Sequence, residues 1–88
     1  AMGDLAAARP LYERALAIRE KALGPDHPDL AYSLNNLGML VDAEGDLLSA
    51  RDYLARALAI FEKALGQNHP NSNVVRNNLA AIEAKISS

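Results

Sequence analysis

Residues 14–24 read Arg-Ala-Leu-Ala-Ile-Arg-Glu-Lys-Ala-Leu-Gly, and residues 56–66 read Arg-Ala-Leu-Ala-Ile-Phe-Glu-Lys-Ala-Leu-Gly. The two stretches are 42 residues apart. The same offset carries Gly3-Asp4-Leu5 onto Gly45-Asp46-Leu47, His27-Pro28 onto His69-Pro70, and Asn35-Asn36-Leu37 onto Asn77-Asn78-Leu79. An ungapped self-match of this extent marks an internal repeat, whose units bury their apolar faces against their neighbours.

Within the repeat the apolar spacing is helical. Leu47, Ala50, Leu54, Ala57, Leu58, Phe61 and Leu65 recur at steps of three and four, which places them on one stripe. Leu30, Leu34, Leu37, Gly38 and Val41 do the same in the preceding segment. The boundaries are punctuated. Pro28 suits the first helical position, where its missing N–H costs nothing, with His27 as the cap. Gly45 suits the left-handed residue that closes one helix, and Asp46 the cap that opens the next. Gly24 and Gly66 close the longer helices, and Pro25 discourages continuation. The pattern predicts helices over about 5–23, 28–44, 47–65 and 70–86. It also contains a local conflict at Pro10, five residues into the first helix. A proline there removes a hydrogen bond and crowds the carbonyl of Ala6, so a kink is expected, or a frayed start with regular helix only from about Arg9.

Composition narrows the function. Nine basic and eleven acidic residues give a net charge of −2 and a pI near 5.6. Nucleic-acid and polybasic membrane roles need the opposite balance. With no cysteine there is no disulfide framework, thiolate zinc site or cysteine nucleophile, which fits a cytoplasmic setting. No apolar run approaches the roughly 20 residues of a membrane span, and no signal-peptide pattern is present. Ala and Leu are abundant and aromatic residues scarce, which favours close-packed helices over strands. The expected class is all-α: an α-solenoid of antiparallel helix pairs, with four helices. Ala1-Met2 reads as a cleaved-tag remnant. The remainder, 3–88, reads as one domain made of a half-unit at 3–24, a full unit at 27–66, and a half-unit or capping helix at 69–88.

A period of 42 admits several helical repeats, HEAT and armadillo among them. The residue order decides between these. Leu34-x-x-Leu37-Gly38-x-x-Val41, then Ala50-x-x-x-Leu54 and Ala57, resembles the tetratricopeptide pattern. In that pattern Gly38 and Ala50 let paired helices approach while the large residues fill the gaps. The unit exceeds the usual 34 residues by eight, in a longer second helix and a Gly-x-x-His-Pro connection. Together with Leu-Asn-Asn-Leu, this is similar to the kinesin light chain type of tetratricopeptide repeat, from Gly3 to about Lys85. Departures lie in the last helix. Arg76, Ala80 and Glu83 stand where Leu34, Gly38 and Val41 stand one repeat earlier, as a polar capping helix would have it.

Candidate chemistry is sparse. His27 and His69 sit at equivalent positions before a proline, and cap-plus-turn explains both. A metal site would need additional nearby ligands, and nothing supplies a dedicated set. No nucleophile–base arrangement or phosphate loop is present, so neither catalysis nor a cofactor is expected. Arg9, Arg14, Arg51 and Arg56 alternate with acidic residues on the second-type helices and read as a solvated, ion-paired face. The asparagine pairs are different, because asparagine is an indifferent helix former placed here mid-helix. Amides stacked one repeat apart can donate to and accept from an extended peptide backbone. Equally, one asparagine of each pair can hold helices together while the other is solvated. The resemblance implies a concave groove lined by the first helix of each unit in a right-handed superhelix, with Asn35, Asn36, Asn77 and Asn78 as a ladder for a peptide. Tyr32, Met39 and Asp42 share a face with Asn35, and Val74 is the equivalent of Tyr32.

The expected function is therefore a protein–protein interaction scaffold whose partner is a protein or peptide, with neither nucleic acid nor membrane as a partner. The alternatives are a spacer or oligomerisation module that stacks end to end as a homo-oligomer through exposed solenoid ends, and a fragment of the recognition arm of a larger signalling protein.

Overall fold

The computed structural model describes residues 2–88, with side chains from Ala7 onward; Ala1 lies outside the described residues, and with it half of the reading of Ala1-Met2 as a remnant. The chain is all-α. Four helices follow in order: α1 (Met2–Leu23), α2 (Pro28–Ala43), α3 (Leu47–Leu65) and α4 (Pro70–Ser87).

The punctuation residues act as their chemistry requires. His27 sits in extended backbone before α2, and its Nδ1 accepts the Asp29 N–H at 3.1 Å, while Pro28 takes the first turn. His69 repeats this before α4, accepting from the Asn71 N–H at 3.0 Å. Asp46 caps α3 through the Ser49 N–H at 3.1 Å. At the end of α2 the chain turns through Gly45 at φ +91°, a left-handed conformation that a Cβ would oppose. There the Asp46 N–H reaches back to the Val41 carbonyl and the Gly45 N–H to the Asp42 carbonyl, the crossed pair of a Schellman closure.

Of the two expectations at Pro10, the frayed start is overturned: helix α1 does not begin at Arg9 but runs from Met2 through Pro10. Pro10 is solvent-exposed, so the carbonyl it leaves without a partner can bond to water, and the remaining turns keep their ladder.

The packing is sequential: α1 against α2, α2 against α3, α3 against α4. The result is a slab 35 × 33 × 16 Å, its thinnest dimension that of two helix layers. The core lies mostly between α2 and α3, where Leu30, Leu34, Leu37, Val41, Ala50, Leu54 and Ala57 are fully buried or nearly so. Gly38 is the pivot. A Cβ added there would lie 2.9 Å from Leu54 Cγ, 3.0 Å from Leu54 Cδ2 and 3.5 Å from the Ala50 carbonyl oxygen. The missing side chain is what lets α2 and α3 close on each other.

The terminal helices are less complete. In α1 Leu16 is the only buried hydrophobic side chain among the described residues. In α4 Ser72, Val75 and Ile82 are buried, and Ser72 donates its hydroxyl to the Gly66 carbonyl at 2.8 Å. The polar substitutions of α4 stay near solvent. Ala80 and Glu83 are exposed, and half-buried Arg76 reaches Glu62 at 2.9 Å and the Gln67 carbonyl at 3.0 Å.

Candidate peptide-binding face

The first-type helices α2 and α4 are tied side by side by three polar contacts. Asn78 Nδ2 donates to Asn35 Oδ1 at 3.1 Å in the middle of the pair. Towards the start of the helices Asn71 Nδ2 donates to Tyr32 Oη at 2.6 Å, and towards their ends Lys85 Nζ grips Asp42 at 3.0 and 3.1 Å. Tyr32 is further fixed by an edge-on contact with the Phe61 ring of α3, with centroids 5.0 Å apart.

The asparagine pairs are thus divided. Asn35 and Asn78 are half-buried and bonded to each other, whereas Asn36 and Asn77 are exposed. The pairing joins the first asparagine of one unit to the second of the next, crossing the repeat rather than linking equivalent positions. Asn35 keeps its NH₂ group, and Asn78 its carbonyl and second N–H, for other partners. Tyr32, Met39 and Val74 are exposed hydrophobics on the same side. Asp42 is a poor candidate: its side chain is 15% exposed and already neutralised by Lys85. Asn36 also lines a cavity of about 150 Å³ with Tyr12, Ala15, Arg19 and Ser33, between α1 and α2.

Neither Asn71 nor Lys85 was flagged by the repeat. Their equivalents one unit earlier are Asp29 and Ala43, so no identity signals them. On the opposite layer Arg9, Arg51 and Arg56 are ion-paired. Arg9 bonds Asp46 at 3.1 Å, and Arg56 bonds Glu20 across α3 and α1. Hydrogen bonds from Ser49, followed by that from Arg9, hold the Asp46 carboxyl below its ordinary range. Burial, then its hydrogen bond to Glu13, pushes the Tyr53 hydroxyl above its usual value. The histidines are occupied as helix caps. Among the described residues no group of three or more His, Asp or Glu side chains is placed to hold a metal ion. No helix of the structure is long and apolar enough to cross a membrane.

The tetratricopeptide repeat family model matches residues 1–63, more than half of the chain. The chain belongs to the tetratricopeptide repeat family. The close approach at Gly38, with Ala50 and Leu54 against it, is the packing by which the two helices of such a unit pair. Tetratricopeptide repeats are protein–protein interaction modules, typically scaffolds rather than catalysts. No curated protein matches the sequence.

Proposed function

We propose that this tetratricopeptide chain holds an extended peptide segment on the face shared by α2 and α4. The observation that carries the reading is the Asn35–Asn78 bond. It fixes two side-chain amides across adjacent units with their remaining donors and acceptors unspent. A peptide backbone needs donors and acceptors alternating along its length, and the amides supply both without selecting by charge. Exposed Asn36 and Asn77 extend the polar set, while Tyr32, Met39 and Val74 offer apolar contact to side chains of the peptide. The 42-residue spacing, the His-Pro caps and Leu-Asn-Asn-Leu further support a place among repeats of the kinesin light chain type. With two groove-lining helices the bound length is short and the affinity modest.

Peptides selected from a random library against the folded chain provide the probe, and amide chemical shifts locate where they bind. Shifts should concentrate at Tyr32, Asn36, Met39, Val74 and Asn78. Replacing Asn36 and Met39 by alanine, with helicity unchanged, should weaken a selected peptide about tenfold, equivalent to roughly 1.4 kcal/mol. Shifts confined to α1 or the outer face of α3, or an unchanged affinity, would refute the groove.

A further inference from the structure

The face shared by α2 and α4 is bordered by charge but holds none in its middle. Helix α2 carries Asp29 and Asp42 and no Lys or Arg, and α4 carries Arg76, Glu83 and Lys85. Two of these five turn toward α3. Arg76 is spent on Glu62, Asn73 and the Gln67 carbonyl, and Glu83 shares a cavity of about 260 Å³ with Arg51 of α3. At one border of the face Asp29 shares a cavity of about 340 Å³ with Tyr32 and with Arg19 of α1. At the other, Lys85 Nζ donates to both carboxylate oxygens of Asp42, at 3.0 and 3.1 Å. Between the borders stand Tyr32, Asn36 and Met39 on α2 and Val74 and Asn78 on α4, none of them charged.

The repeat does not demand the Asp42–Lys85 pair. One unit away the two positions are Ala84 and Ala43, so helices of this kind pack without it. The pair is also lopsided. Asp42 is recessed, its side chain 15% exposed, while Lys85 keeps 53% of its own in solvent. An incoming peptide therefore meets the ammonium with a carboxylate directly behind it. A peptide carboxylate brought to Lys85 is attracted by one charge and repelled by the other at a similar distance, and the two effects largely cancel. An uncharged segment forfeits nothing there.

We propose that Asp42 sets the charge selectivity of the peptide-binding face. By occupying Lys85 it makes the face a receptor for an uncharged stretch of peptide, held through its backbone and its apolar side chains. This deepens the reading of the face as a peptide site and rests on it. The role of Asp42 is to mask the cation, not to touch the ligand. Were the pair only a tie between helices, removing either member would lower stability and leave the choice of peptide unchanged.

Two opposite variants and one peptide separate these outcomes. The peptide is selected on the parent chain from the random library, mapped to the face by amide shifts, and then scanned with Glu and with Lys at each position in turn. On the parent chain neither charge should improve binding at any position. Affinity for the uncharged peptide should change by less than about twofold between roughly 50 and 500 mM salt. Asp42→Asn frees the ammonium, so Glu at one or two positions should gain about threefold in affinity. That gain should vanish in high salt and in the double variant Asp42→Asn/Lys85→Gln. Lys85→Gln unmasks the carboxylate instead, and Lys at those positions should gain by a similar factor. Circular dichroism checks that each variant keeps its helicity. A parent chain that selects acidic or basic peptides at the mapped face would overturn the proposal while leaving the peptide site standing. So would Glu and Lys scans that stay flat on both single variants. Peptides that map away from the face would remove the site and its charge rule together, which the shifts report before any charge is scanned.

Discussion

Helices α1 and α3 carry nearly the same sequence and lead different lives. Arg-Ala-Leu-Ala-Ile occurs in both, yet Ile60 is buried while Ile18 is among the most exposed hydrophobic residues of the chain. The stripe is written into both helices, but burial belongs to the neighbours. Helix α3 lies between α2 and α4, and α1 touches mainly α2. Repeat proteins of this kind derive stability from interfaces as much as from units, so one residue type at equivalent positions contributes unequally.

That inequality can be measured by changing equivalent residues in parallel. The largest contrast is expected between Leu54→Ala and Tyr12→Ala. Emptying the Leu54 site between α2 and α3 should cost about 2–5 kcal/mol in urea unfolding. The Tyr12 change, on an open face, should stay within about 0.5 kcal/mol. Equal losses would mean that α1 is as tightly held as α3. Next comes the pivot. Gly38→Val forces a Cβ against Leu54 and should destabilise by about 1–3 kcal/mol. Ala80→Val, on the outward face of α4, should cost only a difference in helix propensity of about 0.7 kcal/mol or less. If the two valines behave alike, Gly38 is not what sets the α2–α3 distance.

The smallest effect concerns the outer layer and acid. The Asp46 carboxyl is held below its ordinary value in the folded chain. Its contribution is therefore complete above the unfolded carboxylate range and is lost as the pH falls through the depressed folded value. Asp46→Asn keeps an acceptor for the Ser49 N–H but removes the titration. The expected outcome is a shallower loss of thermal midpoint on acidification than in the parent chain, with little change at neutral pH. A parallel acid profile would show that the cap, and not the charge, is all that Asp46 supplies.

Most of the architecture was legible because the repeat states it twice. Three of the four helix starts fall at the expected residue, and α2 and α4 end within one residue of expectation. The caps at His27, Asp46 and His69 follow from residue type and position alone. Other features depended on geometry that spacing does not carry. Which asparagine of each pair crosses to the neighbour depends on how far one unit is rotated against the next, and the offset of 42 is silent on that rotation. Ser72, fully buried where Leu30 stands one repeat earlier, reads as polar in sequence and is buried because the Gly66 carbonyl satisfies it. The tolerance of Pro10 depended on its facing solvent.

The contact order of the helices has a consequence of its own. Because the main packing runs α1 on α2, α2 on α3 and α3 on α4, helices two apart are joined only by polar contacts such as Asn35–Asn78 and Arg56–Glu20. Such a body has no keystone. It can be lengthened by one 42-residue block without rebuilding what is already there, and it should open from its margins inward, so that thermal fraying at α1 or α4 leaves the Gly38 pivot closed until last.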